Sequence, residues 1–208
     1  MTGAMWVTVL SVVLGLAVAL SPGPVAALTC ANTERAGWDA GTTTALGSTV
    51  ADVAIGAVAI TILLGVGDRL AAFVGVVGGV LLLGLGLDAL KLSRDRHPMP
   101  RVAATPNRLV RGFLLELSQP QALLFGLTTV GPVAVLLRET DGALPWAVMC
   151  LLTAALLAGR LILVRWVART GRLPAPARYR VVCWLTGGGL SLAGLAAMVW
   201  LGSYALGR

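Results

Sequence analysis

Five long stretches of this chain carry no charged residue, and a sixth carries one. Residues 1–33, 70–87, 117–137, 142–159 and 181–207 lack Asp, Glu, Lys and Arg altogether, and residues 40–67 contain only Asp52. A run of ~18 or more apolar residues is long enough to cross a bilayer as a helix. In hydrocarbon every backbone donor and acceptor must be satisfied within the protein, so an open apolar chain has few choices besides helices. The pattern predicts an all-α polytopic membrane protein of six transmembrane helices, over residues 5–29, 41–65, 70–90, 112–137, 143–165 and 181–205.

Composition closes off the soluble alternative. Charged residues make up 12% of the chain, about half of the roughly 25% a soluble domain uses to cover its surface. The net charge of +7 would suit a nucleic-acid partner in a soluble protein, but its placement argues otherwise. Twelve of the sixteen Lys and Arg fall in the loops after spans one, three and five, and only Arg69, Arg138 and Arg208 on the opposite side. The positive-inside rule then puts both termini outside the cytoplasm and the basic segments 91–111 and 165–180 within it. Aromatic residues sit in apolar runs rather than between basic ones, which leaves no stacking platform for bases. Trp6, Trp146, Trp166, Trp184 and Trp200 read as interfacial anchors near span ends. Cys30, Cys150 and Cys183 have neither disulfide nor zinc spacing, and no cofactor or metal motif is present. The expected location is the plasma membrane.

The hydrophilic segment 91–111 divides the chain into three-helix halves, 1–90 and 112–208. With three spans each, the second half enters the membrane in the opposite sense to the first, an inverted 3+3 repeat. Span four repeats a feature of span one: Ser21–Leu28 reads SPGPVAAL and Leu117–Leu124 reads LSQPQALL. Proline removes a backbone donor and clashes with the preceding turn, so Pro22, Gly23 and Pro24 break the first span and Pro120 the fourth. Broken helices at matching places in two inverted halves mark a transporter's binding site. Glycines such as Gly75, Gly79, Gly84 and Gly86 in span three, and Gly187 to Gly189 and Gly194 in span six, are expected to let helices pack closely and make a homodimer an expectation.

Ionisable residues inside spans are functional candidates. Asp52 lies ~11 residues, about 17 Å, into its span, near the bilayer midplane. A carboxylate there binds a substrate ammonium, carries a coupling proton or is neutralised by Arg160. Glu116 stands one turn before Pro120, on the face leading to the break; pairing with Arg108 or Arg111 at the interface is the alternative. Arg160 is five residues before Arg165 and is expected to extend to the cytoplasmic interface, with pairing to Asp52 or a substrate carboxylate as the sharper alternative. Gln119 and Gln121 both donate and accept hydrogen bonds, as a zwitterion requires.

These features, in order, resemble the LysE family of amino-acid exporters, the lysine and homoserine/threonine exporter type. The matching residues are Pro22-Gly23-Pro24, then Glu34-Arg35-Ala36-Gly37 at the end of a short loop, Ala45-Leu46-Gly47 before Ala51-Asp52, and Gly112-Phe113-Leu114 before Gln119-Pro120-Gln121-Ala122. Gln119 and Gln121 stand where the family carries Asn and Lys, Val25 where many members have a polar residue, and Glu116 where an Asn is common. The resemblance implies a non-enzymatic secondary transporter that exports an amino acid or similar small solute, driven by the proton gradient or membrane potential. Efflux of metal cations or another solute is the nearest alternative. A transmembrane electron carrier would need cysteines beside both prolines, and a non-transporting scaffold would not need Asp52.

Overall fold

The computed structural model describes residues 2–21, 23–94, 106–137, 143–171 and 176–206. Among these the regular structure is entirely helical. In chain order the helices are α1 (Thr2–Leu20), α2 (Pro24–Leu64), α3 (Asp68–Arg94), α4 (Arg108–Leu117), α5 (Pro120–Phe125), α6 (Gly131–Leu137), α7 (Leu144–Thr170) and α8 (Pro176–Ala205), with a π-helical turn, Gly126–Val130, joining α5 to α6. Among the described residues four stretches are long and apolar enough to cross a membrane: Pro24–Leu64, Asp68–Lys91, Leu144–Thr170 and Arg180–Ser203. Two shorter apolar helical stretches are Val9–Leu20 and Pro120–Val135. The expected first and fourth spans are therefore not continuous helices. The first stops at Leu20, and the fourth is interrupted between Leu117 and Pro120.

Both interruptions have the same local build. Pro24 and Pro120 each sit at the start of a new helix, where the missing N–H is not needed. The residue before a proline is pushed out of the helical region. Gly23 is accordingly extended at φ −157°, ψ 177°, and Gln119 at φ −83°, ψ 113°. Pro22 lies outside the described residues. The π turn follows from a further proline: Pro132 can give no N–H to the Thr128 carbonyl and crowds it, and a wider turn accommodates the lost bond.

Helix α2 bends at Ala36 and Gly37, where the resemblance places the end of a loop. Gly37 has φ +80° and ψ −170°, a conformation nearly confined to glycine. The bend folds 24–35 back along the residues after it. Asn32 Nδ2 donates 2.8 Å to Thr44 Oγ1 across the turn, and a Cβ on Gly41 would strike the Thr33 side chain.

Close helix contacts carry the remaining assembly. On α3 and α8, a Cβ at Gly79 would lie 2.8 Å from the Gly194 carbonyl oxygen, and one at Gly194 would lie 2.6 Å from the Gly79 oxygen. Gly86 and Gly187 repeat this reciprocity at 2.6 and 2.7 Å. Because higher numbers on α3 meet lower numbers on α8, the two run antiparallel. Gly15 packs on Leu152 and Ala155, and Gly159 on Ala19, so α1 and α7 run parallel. Gly84 and Gly188, expected to pack in the same way, have open space instead: a Cβ on either would meet nothing within 4 Å. The outer faces of α3 and α8 present Phe73, Leu185, Leu192 and Val199, a surface suited to lipid rather than water.

Candidate functional site

A guanidinium at the centre of the bundle joins three helices. Arg160 on α7 donates from Nη1 to Asp52 Oδ2 on α2 at 2.6 Å and to Thr49 Oγ1 at 2.9 Å. Its Nη2 donates to Glu116 Oε2 on α4 at 3.0 Å. The side chains of Arg160, Asp52 and Glu116 are 6%, 15% and 8% exposed. Arg160 therefore does not extend to the interface towards Arg165, and Glu116 is held by Arg160.

The sequence places these groups for simple reasons. Thr49 and Asp52 are three residues apart on α2 and so share a face. Ile55 and Gly56, one turn on, continue that face into the same cavity. On α7, Met149, Leu152, Leu156, Arg160 and Leu163 recur at helical spacing and line it too. Helix α4 reaches α2 because glycines let the backbones touch. A Cβ on Gly47 would overlap the Leu109 carbonyl oxygen, and one on Gly112 the Thr44 carbonyl oxygen. Two of the glycines in the recognisable sequence elements are thus the contact that delivers Glu116.

The cavity holds about 230 Å³. Gly23, Asp52, Glu116, Gln119, Gln121 and Arg160 all border it. Pro24 and Pro120 do not; they act by setting the breaks. The two breaks face each other, since the place a Gly23 Cβ would occupy is 3.9 Å from Gln119 Oε1. One end of the cavity reaches the surface at Gln121, which is exposed, and at Asp88, whose side chain is 73% exposed and paired with Lys91 at 3.2 Å. Farther along, Met149 packs on Gly56 and joins Ile60, Ala134 and Val130 in an apolar cluster.

Three residues of the site are not singled out by the sequence. Thr49 accepts from Arg160, and its position one turn before Asp52 is the available signal. Asp88 ends the uncharged run of span three and stands at the mouth. Thr29 is 1% exposed, borders the cavity, and its hydroxyl has no hydrogen-bond partner. Nothing short of the fold would single it out.

Chemically, two carboxylates face one guanidinium, which leaves one unbalanced negative charge if all three are ionised. Such a cluster attracts a cation or a proton. Among the described residues no three His, Cys, Asp or Glu side chains gather as a metal site, and Cys30 and Cys183 lie buried in one apolar cluster. The model of the LysE type translocator family matches residues 16–205, nearly the whole chain. No curated protein and no solved structure matches it.

Proposed function

The chain belongs to the LysE type translocator family, a multi-pass membrane transporter family, and on that premise we propose that it exports an amino acid or similar small solute from the cytoplasm, driven by the proton gradient or the membrane potential. One observation carries the reading: the Asp52–Arg160–Glu116 cluster lies in a cavity bordered by two opposed helix breaks. Non-helical backbone at membrane depth is tolerated where it lines such a cavity. Paired breaks are where transporters of inverted-repeat design hold their solutes.

In this reading the chain crosses the membrane six times. Residues 1–90 and 112–208 are inverted three-helix repeats joined by the cytoplasmic linker 91–111, and both termini are outside. The matching proline-started helices at Pro24 and Pro120 support it, as do parallel α1 and α7 and antiparallel α3 and α8. The open end of the cavity, at Asp88, lies three residues from the start of the linker, so the solute enters from the cytoplasm. Gly188, where a Cβ would meet nothing within 4 Å, leaves room for a homodimer contact.

The test is export of a panel of labelled amino acids from inside-out or right-side-out vesicles under an imposed proton gradient. An Asp52→Asn variant is expected to lose at least about tenfold in rate, the scale of one charged hydrogen bond. Wild-type rates in that variant would remove Asp52 from the pathway. Failure of every solute to move under the gradient would remove the cargo assignment.

A further inference from the structure

The cavity has two unlike walls, and together they specify the charge of what fits between them. This inference rests on the transport reading above and narrows its cargo. The wall made by α2, α4 and α7 holds Asp52, Glu116 and Arg160. Arg160 is committed to groups of the protein itself: both Nη1 hydrogens go to Thr49 and Asp52, and an Nη2 hydrogen goes to Glu116. The guanidinium therefore balances one of the protein's own carboxylates rather than waiting for a solute's. With both carboxylates ionised one negative charge remains, in a site where an uncompensated charge is costly. Asp88 at the mouth adds no net charge, being paired with Lys91.

A second feature points to the same occupant. Thr29 Oγ1 is buried, borders the cavity and has no partner. A buried hydroxyl left unbonded costs free energy, and an ammonium supplies the missing donor. The opposite wall is apolar: Val18, Leu82, Leu85, Phe125 and Leu190. It continues into a neighbouring cavity of about 370 Å³ between α3 and α5, which shares Leu82, Leu85, Asp88, Gln121 and Phe125 with the first.

We propose that the site takes a solute of net charge +1 with an apolar body, that is, a primary amine or an amino acid whose carboxylate is masked as an amide or ester, in preference to a zwitterionic amino acid. The ammonium sits against Asp52 and Glu116, in the cavity that the Thr29 hydroxyl also borders, and the apolar body lies against Leu82, Leu85 and Phe125. A zwitterion brings no net charge and leaves the cluster unbalanced. A dibasic amino acid brings the right charge but puts a second ammonium against the apolar wall.

Purified full-length protein in liposomes is offered labelled leucine, leucinamide and 4-methylpentanoate at pH about 6.5, where α-amino groups are protonated. These share one apolar body and differ in net charge. Leucinamide is expected to move about tenfold faster than leucine or more, the scale of one charge-assisted hydrogen bond, and 4-methylpentanoate slowest. Glu116→Gln leaves one carboxylate for one guanidinium and is expected to shift the ratio towards leucine by a similar factor. Thr29→Val, which keeps the shape and removes the hydroxyl, is expected to slow leucinamide more than leucine. The rise in melting temperature with each solute gives a second readout that needs no transport. If wild-type protein moves leucine faster than leucinamide, the charge inference is overturned and export stands. If folded protein moves and binds none of the three but exports another amino acid of the panel, the charge inference is overturned and export stands; if it moves none of the panel either, the transport reading falls and this inference with it.

Discussion

Replacing Arg160 with Met removes the one cation from a buried cluster while keeping most of the side chain's volume. At separations of 2.6 and 3.0 Å and an effective dielectric of ~20, each carboxylate gains about 6 kcal/mol from the guanidinium. Desolvation of each ion costs several kcal/mol, so the intact cluster is close to break-even. The variant keeps the cost of two buried carboxylates and loses the attraction. Removing one partner of a buried pair destabilises by about 3–5 kcal/mol. For a chain of this size 1 kcal/mol is worth ~2–4 °C, so Arg160→Met is expected to melt roughly 6–20 °C below wild type. The assay is thermal unfolding in detergent followed by tryptophan fluorescence. The triple variant Asp52→Asn/Glu116→Gln/Arg160→Met carries no buried charge and is expected to recover most of that loss while exporting nothing. An Arg160→Met protein melting within about 2 °C of wild type would refute the reasoning, because the carboxylates would then not depend on the guanidinium.

Gly37→Ala forces a Cβ into a backbone conformation nearly confined to glycine and is expected to cost about 1–3 kcal/mol, read as a fall in melting temperature; no change would mean the bend in α2 is absent. Gly79→Ala sets a Cβ 2.8 Å from the Gly194 carbonyl oxygen and is expected to cost about 1–3 kcal/mol. Gly188→Ala, with nothing within 4 Å, is expected to stay within about 0.5 kcal/mol of wild type. Equal effects at the two glycines would contradict the α3–α8 contact.

The helical content and the two interruptions are legible in the sequence because they depend on local rules. An uncharged run has only one way to satisfy its backbone in lipid, and a proline changes the turn before it. What local rules cannot give is which groups meet. Arg160 is 108 residues from Asp52 and 44 from Glu116. Spacing along α7 shows only Arg165, which is why extension to the interface is the favoured expectation from sequence. The two carboxylates on other helices outweigh that option. The glycines divide in the same way. Sequence shows that Gly79, Gly84, Gly86 and Gly188 are small, but only the helix phase decides that Gly79 and Gly86 meet α8 while Gly84 and Gly188 make no such contact. Thr29 is invisible in the sequence because its importance lies in a hydrogen bond that it lacks.

The two walls of the cavity are held by different forces, and that difference explains why both kinds of residue are needed. The apolar wall comes from α1, α3, α5 and α8, and the backbones of α3 and α8 are brought within contact by Gly79, Gly86, Gly187 and Gly194. In lipid such packing contacts are what hold helices together, since burial of apolar surface gives no net drive. The charged wall has no equivalent packing option. Asp52, Glu116 and Arg160 come from three helices and are fixed by directed hydrogen bonds at 2.6 to 3.0 Å. Replacing that wall with leucines would remove the desolvation cost and give a bundle at least as stable. The charges are therefore poorly explained by stability, and the breaks still less so, because each interrupts a helix that would otherwise satisfy its own backbone. Both costs fall on the same 230 Å³ of space. A fold that concentrates its unfavourable terms in one cavity, and binds the rest of its helices by close backbone contact, has its stability arranged around that cavity's contents.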